Sequence, residues 1–170
     1  MTIAAPAAGT SARSGITLTG ACADGLPINV TGGGVSSPAT VTCASGQYSA
    51  PVVFSGGDGI KNVSVSQTDA AGNTGSVNRD FVRDNAAPEV RITGPRGGAA
   101  SKGPIALQGT CETGIPVSIT GDIKTSVEVA CAAGGFSADV VLAGADGAKT
   151  VTASQTDGAG NIGSIAALSN

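Results

Sequence analysis

Two cysteines and an aspartate-rich turn occur at matching places in each half of this chain, and nothing else restricts its fold as much. Residues 16–76, opening ITLTGAC and closing QTDAAGNTGS, realign on residues 105–164, which open IALQGTC and close QTDGAGNIGS. The offset is 89 residues as far as Gly32 and Gly121 and 88 from Cys43 and Cys131 onward, so one deletion in the intervening loop accounts for the difference. Self-similarity at such a period makes one repeat one domain. We therefore expect two domains, 1–86 and 87–170. Units of roughly 85 residues stand near the lower end of sizes that fold alone.

A core of that size needs support, because the aromatic content is 2% and consists of Tyr48, Phe54, Phe81 and Phe136. Burial falls to Val, Ile, Leu and Ala, which offer less area per side chain than rings do. The cysteines supply the support. Cys22 and Cys43 stand 21 residues apart, and Cys111 and Cys131 stand 20 apart, one pair in each repeat. An intradomain disulfide per repeat is the simplest reading. Closing such a loop stabilises the fold by about 3 kcal/mol through lost chain entropy. Disulfides persist in oxidising compartments, which predicts the periplasm or the cell exterior, a secreted or surface location. A zinc site is a poor competitor: the chain has no His and no CxxC, leaving two distant sulfur ligands per repeat.

The pattern between the cysteines is that of strands. Tyr48, Ala50, Val52 and Phe54 alternate with Ser49, Pro51 and Val53, and the second repeat copies this with Phe136, Ala138, Val140 and Leu142 against a solvated Asp139. Period two over seven residues marks a strand half-buried in a sheet. Val63 and Val65, with Val151 and Ala153, mark the next strand, and Gly-Asp-Gly at 57–59 or Ala-Asp-Gly at 145–147 supplies the turn between the two. ITLTG (16–20), PINVT (27–31), ATVTC (39–43) and SVNRDFV (76–82) add further strands. With an N-terminal segment, each repeat holds about seven. Short strands at regular spacing, 27 glycines and no helical period predict an all-β chain of two tandem immunoglobulin-like β-sandwiches. Each bridge should tie the end of the second strand to the fourth.

RDNAAPEV (83–90) joins the repeats, with Pro88 holding itself and Ala87 extended. So short a linker should limit swing and favour a rod. The start, MTIAAPAAGT, lacks the charged flank and apolar core of a secretory signal, and Met1 aligns with Val90 just after the junction. Two repeats of a longer exported protein are the expected context, with adjacent repeats as partners.

These residues resemble a known group, the bacterial immunoglobulin-like repeats that occur in tandem in large surface proteins and adhesins. The resemblance rests on TDAAGNTGS (68–76) and TDGAGNIGS (156–164), on GDGIKNVSVSQ (57–67) and ADGAKTVTASQ (145–155), and on RDNAAPEV, which looks like the Asp-Thr-Thr-Ala-Pro junction of that family. It covers nearly the whole chain. The cysteine pair departs from many members. The resemblance implies a non-catalytic structural or adhesive module, a rigid spacer or adhesin segment. It also implies a candidate cofactor, because in several such adhesins calcium near domain junctions stiffens the rod. The matching oxygens here are Asp69 and Asn73, Asp157 and Asn161, and Asp84 in the linker. Calcium takes six to eight oxygen ligands, a number that these residues do not visibly reach. The alternative, and the simpler reading, is that Asp69 and Asp157 bond backbone amides of their own turns while Gly72 and Gly160 supply positive φ. Asp58 and Asp146 read as turn residues in the same way.

Other classes fit less well. An enzyme is not expected: without His, catalysis would need a carboxylate pair or a Ser-Lys arrangement, and the notable acids recur as turn elements in both repeats. Gly-x-Ser-x-Gly is absent as well. A net charge of −3 with nine scattered Lys and Arg gives no stripe for nucleic acid. No run approaches the ~20 apolar residues of a membrane-spanning helix, so membrane insertion is not expected. A carbohydrate-binding module, taking a host or cell-surface glycan, is the main competitor, but Tyr48 and Phe136 hold equivalent inward positions and read as core. A decorating domain of a phage or fibre assembly is a third reading. Individual specificity is expected where the copies differ, chiefly 33–42 against 122–130.

Overall fold

Alternating apolar residues need a second apolar face to cover them, and each half of the chain supplies one by folding its strands into two facing sheets. The computed structural model describes residues 1–97 and 102–169, which are all-β, and divides into two compact units, Met1–Asn85 and Ala86–Asn170. Among the described residues no helix is long and apolar enough to cross a membrane.

The first unit contains β1 (Ser11–Ala12), β2 (Gly15–Ala21), β3 (Pro27–Thr31), β4 (Ala39–Thr42), β5 (Gln47–Val53), β6 (Gly59–Thr68) and β7 (Thr74–Arg83). One sheet runs β1-β7-β6-β3-β4, and the other pairs β2 with β5. Residues 2–5 widen the second sheet, the Ala4 amide donating to the Thr19 carbonyl at 2.7 Å. Leu18, Tyr48, Ala50 and Val52 from the smaller sheet meet Ile28, Val30, Val63, Val65 and Phe81 from the larger one, and all are buried. Each such aliphatic side chain contributes about 1.5–3 kcal/mol on burial. Phe54 and Phe81 stack at 6.4 Å between ring centroids and close one end of the sandwich.

The second unit repeats the plan with β8 (Arg91–Gly94), β9 (Ile105–Thr110), β10 (Val117–Gly121), β11 (Val127–Val129), β12 (Gly135–Val140), β13 (Lys149–Thr156) and β14 (Ile162–Ser169). Its sheets run β11-β10-β13-β14 and β12-β9-β8. Leu107, Phe136, Ala138 and Val140 face Val117, Ile119, Val151 and Ala153. The fold is thus two tandem immunoglobulin-like β-sandwiches, with seven strands and one disulfide in each among the described residues.

The turns at 57–59 and 145–147 lie between the strands expected from the sequence, and they join them across the two sheets. β5 pairs with β2, whereas β6 pairs with β3 and β7, so Gly57–Gly59 carries the chain from one sheet to the other and closes no hairpin. The second repeat crosses in the same way between β12 and β13. Gly59 and Gly147 adopt φ of 117° and 132°, which only glycine takes without strain. The long hairpin is β6–β7, in register from Gly59 opposite Arg83 to Thr68 opposite Thr74.

Candidate functional site

The recurring residues gather at one end of each sandwich. Cys22 follows β2 and Cys43 follows β4, so their disulfide, with Cα atoms 6.0 Å apart, ties one sheet to the other. Cys111 and Cys131 do the same after β9 and β11, also at 6.0 Å. This is the placement expected from the sequence, the end of the second strand of each repeat to the fourth.

Beside each disulfide lies a buried glutamine that sequence reasoning passed over. Gln67 continues the inward register of Val63 and Val65, and its Oε1 accepts from the Ala23 amide at 2.9 Å while Nε2 donates to the Ala23 carbonyl at 2.7 Å. Gln155, 1% exposed, clamps the Glu112 amide at 2.8 Å and the Glu112 and Ile115 carbonyls at 2.9 and 2.7 Å. Both amides satisfy the backbone of the loop that carries the first cysteine. The signal was present in the sequence: a polar residue at an inward position of a strand, repeated in both copies.

Next in the chain, the Asp-x-Ala-Gly-Asn turn closes the β6–β7 hairpin. Asp69 Oδ1 accepts from the Ala71 and Asn73 amides, each at 2.9 Å, and Oδ2 accepts from Asn73 Nδ2 at 2.9 Å. Asp157 makes the matching bonds to the amides of Ala159 and Asn161 and to Asn161 Nδ2. The Asn73 side-chain amide and then its backbone N–H hold the Asp69 carboxyl below its ordinary value, and the Asn161 side chain does the same for Asp157. Gly72 and Gly160 sit at φ of 87° and 84°.

Each turn gathers one carboxylate and one carboxamide, fewer oxygens than the six to eight calcium takes. The oxygens of Asp69 and Asp157 accept from the N–H groups of their own turns. Asp84 lies beyond the far end of β7, where its amide donates to the Ala12 carbonyl. Ten strand residues separate it from the Asp69–Asn73 turn, about 30 Å at the rise of an extended chain. Within the first repeat the structure therefore brings Asp69 to Asn73 and leaves Asp84 at the opposite end. Among the described residues no group of three or more His, Cys, Asp and Glu is placed to hold a metal.

The ring platforms also turn inward. Tyr48 is 4% exposed, and its hydroxyl donates to the Thr2 carbonyl at 2.9 Å, with burial raising its pKa. Phe136 is 6% exposed. Both rings lie over a glycine, Gly20 and Gly109 respectively, where a Cβ would collide with them.

The two copies diverge at the opposite end. Leu142 stands where the first repeat has Phe54, and Ser169 stands in sequence where it has Phe81. An open cavity of about 760 Å³ lies there in the second repeat, floored by Val141, Leu142 and Ala143. Lys102, Lys124 and Lys149, every lysine of the chain except Lys61, line it together with Asp146. Lys124 belongs to the divergent 122–130 segment, its amide donating to the Val141 carbonyl at 2.8 Å.

No protein-family model matches the sequence, and no curated protein matches it. Among solved structures, the chain is similar to the fibronectin(III)-like modules of Clostridium thermocellum CbhA, at 14% identity and a TM-score of 0.56, covering 99% of this chain and 92% of that one. It also matches a tetra-tandem repeat from the extending region of a large adhesion protein, at 23% identity and a TM-score of 0.43, over 95% of this chain and 48% of that one. A third match, at 21% identity and a TM-score of 0.49, is a Ca2+-stabilized adhesin that helps an Antarctic bacterium reach out and bind ice, with 95% of this chain and 45% of that one covered. The chain spans about half the length of these two adhesin structures. Similarity at this identity speaks to fold: the chain is a tandem of immunoglobulin-like β-sandwich repeats.

Proposed function

We propose that the chain is a non-catalytic structural segment of an exported surface protein, two repeats of a spacer or adhesin stalk that work beside adjoining repeats outside the reducing cytosol. Each repeat acts as its own domain, with the boundary close to residues 86–87. One observation carries this reading. The chemically notable side chains that recur in both copies are consumed in holding the fold: four cysteines in disulfides, Gln67 and Gln155 in backbone clamps, and Asp69 and Asp157 in their own turns. Selection for load-bearing shape explains a repeated kit of this kind, whereas an active site would need groups left available to a substrate.

Mechanical extension tests the proposal. Pulled from its termini, the oxidised chain should unfold in two events, each shortened by the loop its disulfide locks. Reduction should lengthen each event by about 70 Å, roughly 20 residues at 3.5 Å apiece. A single low-force event, or a chain that extends without resistance, would count against a load-bearing role.

The lysine-lined cavity supports a second reading, a binding module for an acidic glycan. Three cations over an apolar floor on a chain of net charge −3 form a local site for carboxylate or sulfate groups. Binding to a sulfated oligosaccharide that weakens with salt and disappears in Lys124→Gln with Lys149→Gln would favour it. Equal retention of neutral and sulfated sugars would dismiss it.

A further inference from the structure

Gly163 of β14 lacks a side chain for a visible reason. A Cβ there would lie 1.7 Å from the Pro88 carbonyl oxygen and 2.8 Å from its carbon, so the extended 86–89 segment passes directly over this glycine. Neither Gly163 nor its counterpart Gly75 adopts a left-handed φ, so close approach, not backbone conformation, accounts for glycine at 163. Buried residues stand on both sides of this contact. Pro88 is buried, Asn161 is 2% exposed, and Val90, which follows, is 7% exposed.

The first repeat keeps the glycine without the neighbour. Gly75 has nothing within 4 Å of the place a Cβ would occupy, and residues 68–76 are exposed throughout. Glycine within a strand gives up both chain rigidity and side-chain packing, so its presence at an open position of β7 has no local advantage. The strips otherwise differ only in Ala70 against Gly158 and Thr74 against Ile162, and they share the aspartate bonds and the left-handed glycine. The second repeat therefore shows, at an equivalent surface, what a bare glycine at this place accommodates.

We infer that the strip from Asp69 to Ser76 in the first repeat is a docking site for an extended proline-containing backbone with the chemistry of residues 86–89, supplied from the N-terminal side by the linker of an adjoining repeat. The inference rests on the tandem-array reading above. The recognised feature is the backbone itself: a carbonyl set over Gly75, with a proline ring holding the approaching chain extended. Recognition of this sort would make each linker part of the domain that follows it, and each Asp-x-Ala-Gly-Asn turn a receptor for the linker in front.

The test is to extend the full chain by Asp-Asn-Ala-Ala-Pro-Glu, a copy of residues 84–89, placed directly before Met1, which is equivalent to Val90. Amide exchange at Gly75 and Ser76 should slow by at least about tenfold, and the first repeat should melt a few degrees higher. Gly75→Val should cancel both gains in the extended chain while leaving the first repeat of the unextended chain as stable as before, since valine suits an open strand position. Gly163→Val should lower the melting of the second repeat. Unchanged exchange in the extended chain, or a gain that survives Gly75→Val, would overturn the inference. Either result leaves the pulling experiment untouched, so failure of the docking site and failure of the load-bearing reading are separable.

Discussion

The two repeats share a kit and differ in which end is closed. In the first, Phe54 and Phe81 seal the end away from the disulfide, and the Asp69–Asn73 turn is exposed. In the second, the Pro88 carbonyl lies over Gly163 beside the turn, Asn161 is buried, and the opposite end opens into a lysine-lined cavity. At the cavity end the difference follows from changed positions such as Phe54 against Leu142, and at the turn end from the 86–89 segment that passes over Gly163. The recurring elements hold both sandwiches alike, and the divergent end is where their packing differs.

The sharpest way to break the comparison is to remove the seal. Phe81 is fully buried, so Phe81→Ala should cost the first repeat about 3–5 kcal/mol. Calorimetry should show one of two transitions falling, with the second repeat unmoved. The reciprocal change, Leu142→Phe, should raise the melting of the second repeat by filling its cavity floor. If Phe81→Ala shifted both transitions equally, the repeats would not be independent in the way their separate cores imply.

Removing the disulfides should come next in size. Loop closure over about 20 residues gives about 3 kcal/mol per bridge. The second repeat has no aromatic pair to fall back on, so Cys111→Ala with Cys131→Ala should unfold it at a lower temperature than Cys22→Ala with Cys43→Ala unfolds the first. Denaturant midpoints of the two double variants decide this, and the reverse order would show that the Phe54–Phe81 contact adds little.

Much of this division is readable from residues alone, and the failures are instructive. Alternation from Tyr48 to Phe54 gave the buried face correctly because a strand's period is set by its own geometry. The cysteine spacing gave the bridges because a duplicated pair has few alternatives. Pairing is a different matter. Asp58 and its glycines mark the turn between two strands, but hydrogen-bond partners are chosen by the whole sandwich, and β5 and β6 lie in different sheets. Asp84 looks close to Asp69 as a member of one acidic set, but the strand between them is fully extended and carries them apart. Gly163 carried no mark in the sequence of the backbone that passes over it, since that contact joins residues 75 apart.

The glutamine clamps should show a smaller difference. Gln67→Ala or Gln155→Ala leaves backbone groups near the disulfide without partners, at about 1–3 kcal/mol each. Gln155 is the more buried, 1% exposed against 7%, so its loss should be the larger and should also speed exchange of the Glu112 amide. Equal losses would mean that water replaces both clamps with similar ease.

The turn carboxylates give the smallest and most selective test. Asp69 and Asp157 have pKa values held below the ordinary carboxylate range by hydrogen bonds present only in the folded turn. A depressed folded value means the contribution is present above the unfolded pKa near 3.8 and is lost as pH falls through the folded one. Melting temperature should therefore decline on acidification below about pH 4, and the decline should shrink in Asp69→Asn with Asp157→Asn. Millimolar calcium at neutral pH should leave melting where it was, because the same oxygens already face N–H donors. A rise with calcium that Asp84→Ala removes would reverse this assignment. The ion would then be held around Asp84, at the end of the repeat away from Asp69, and its remaining ligands would have to be sought there.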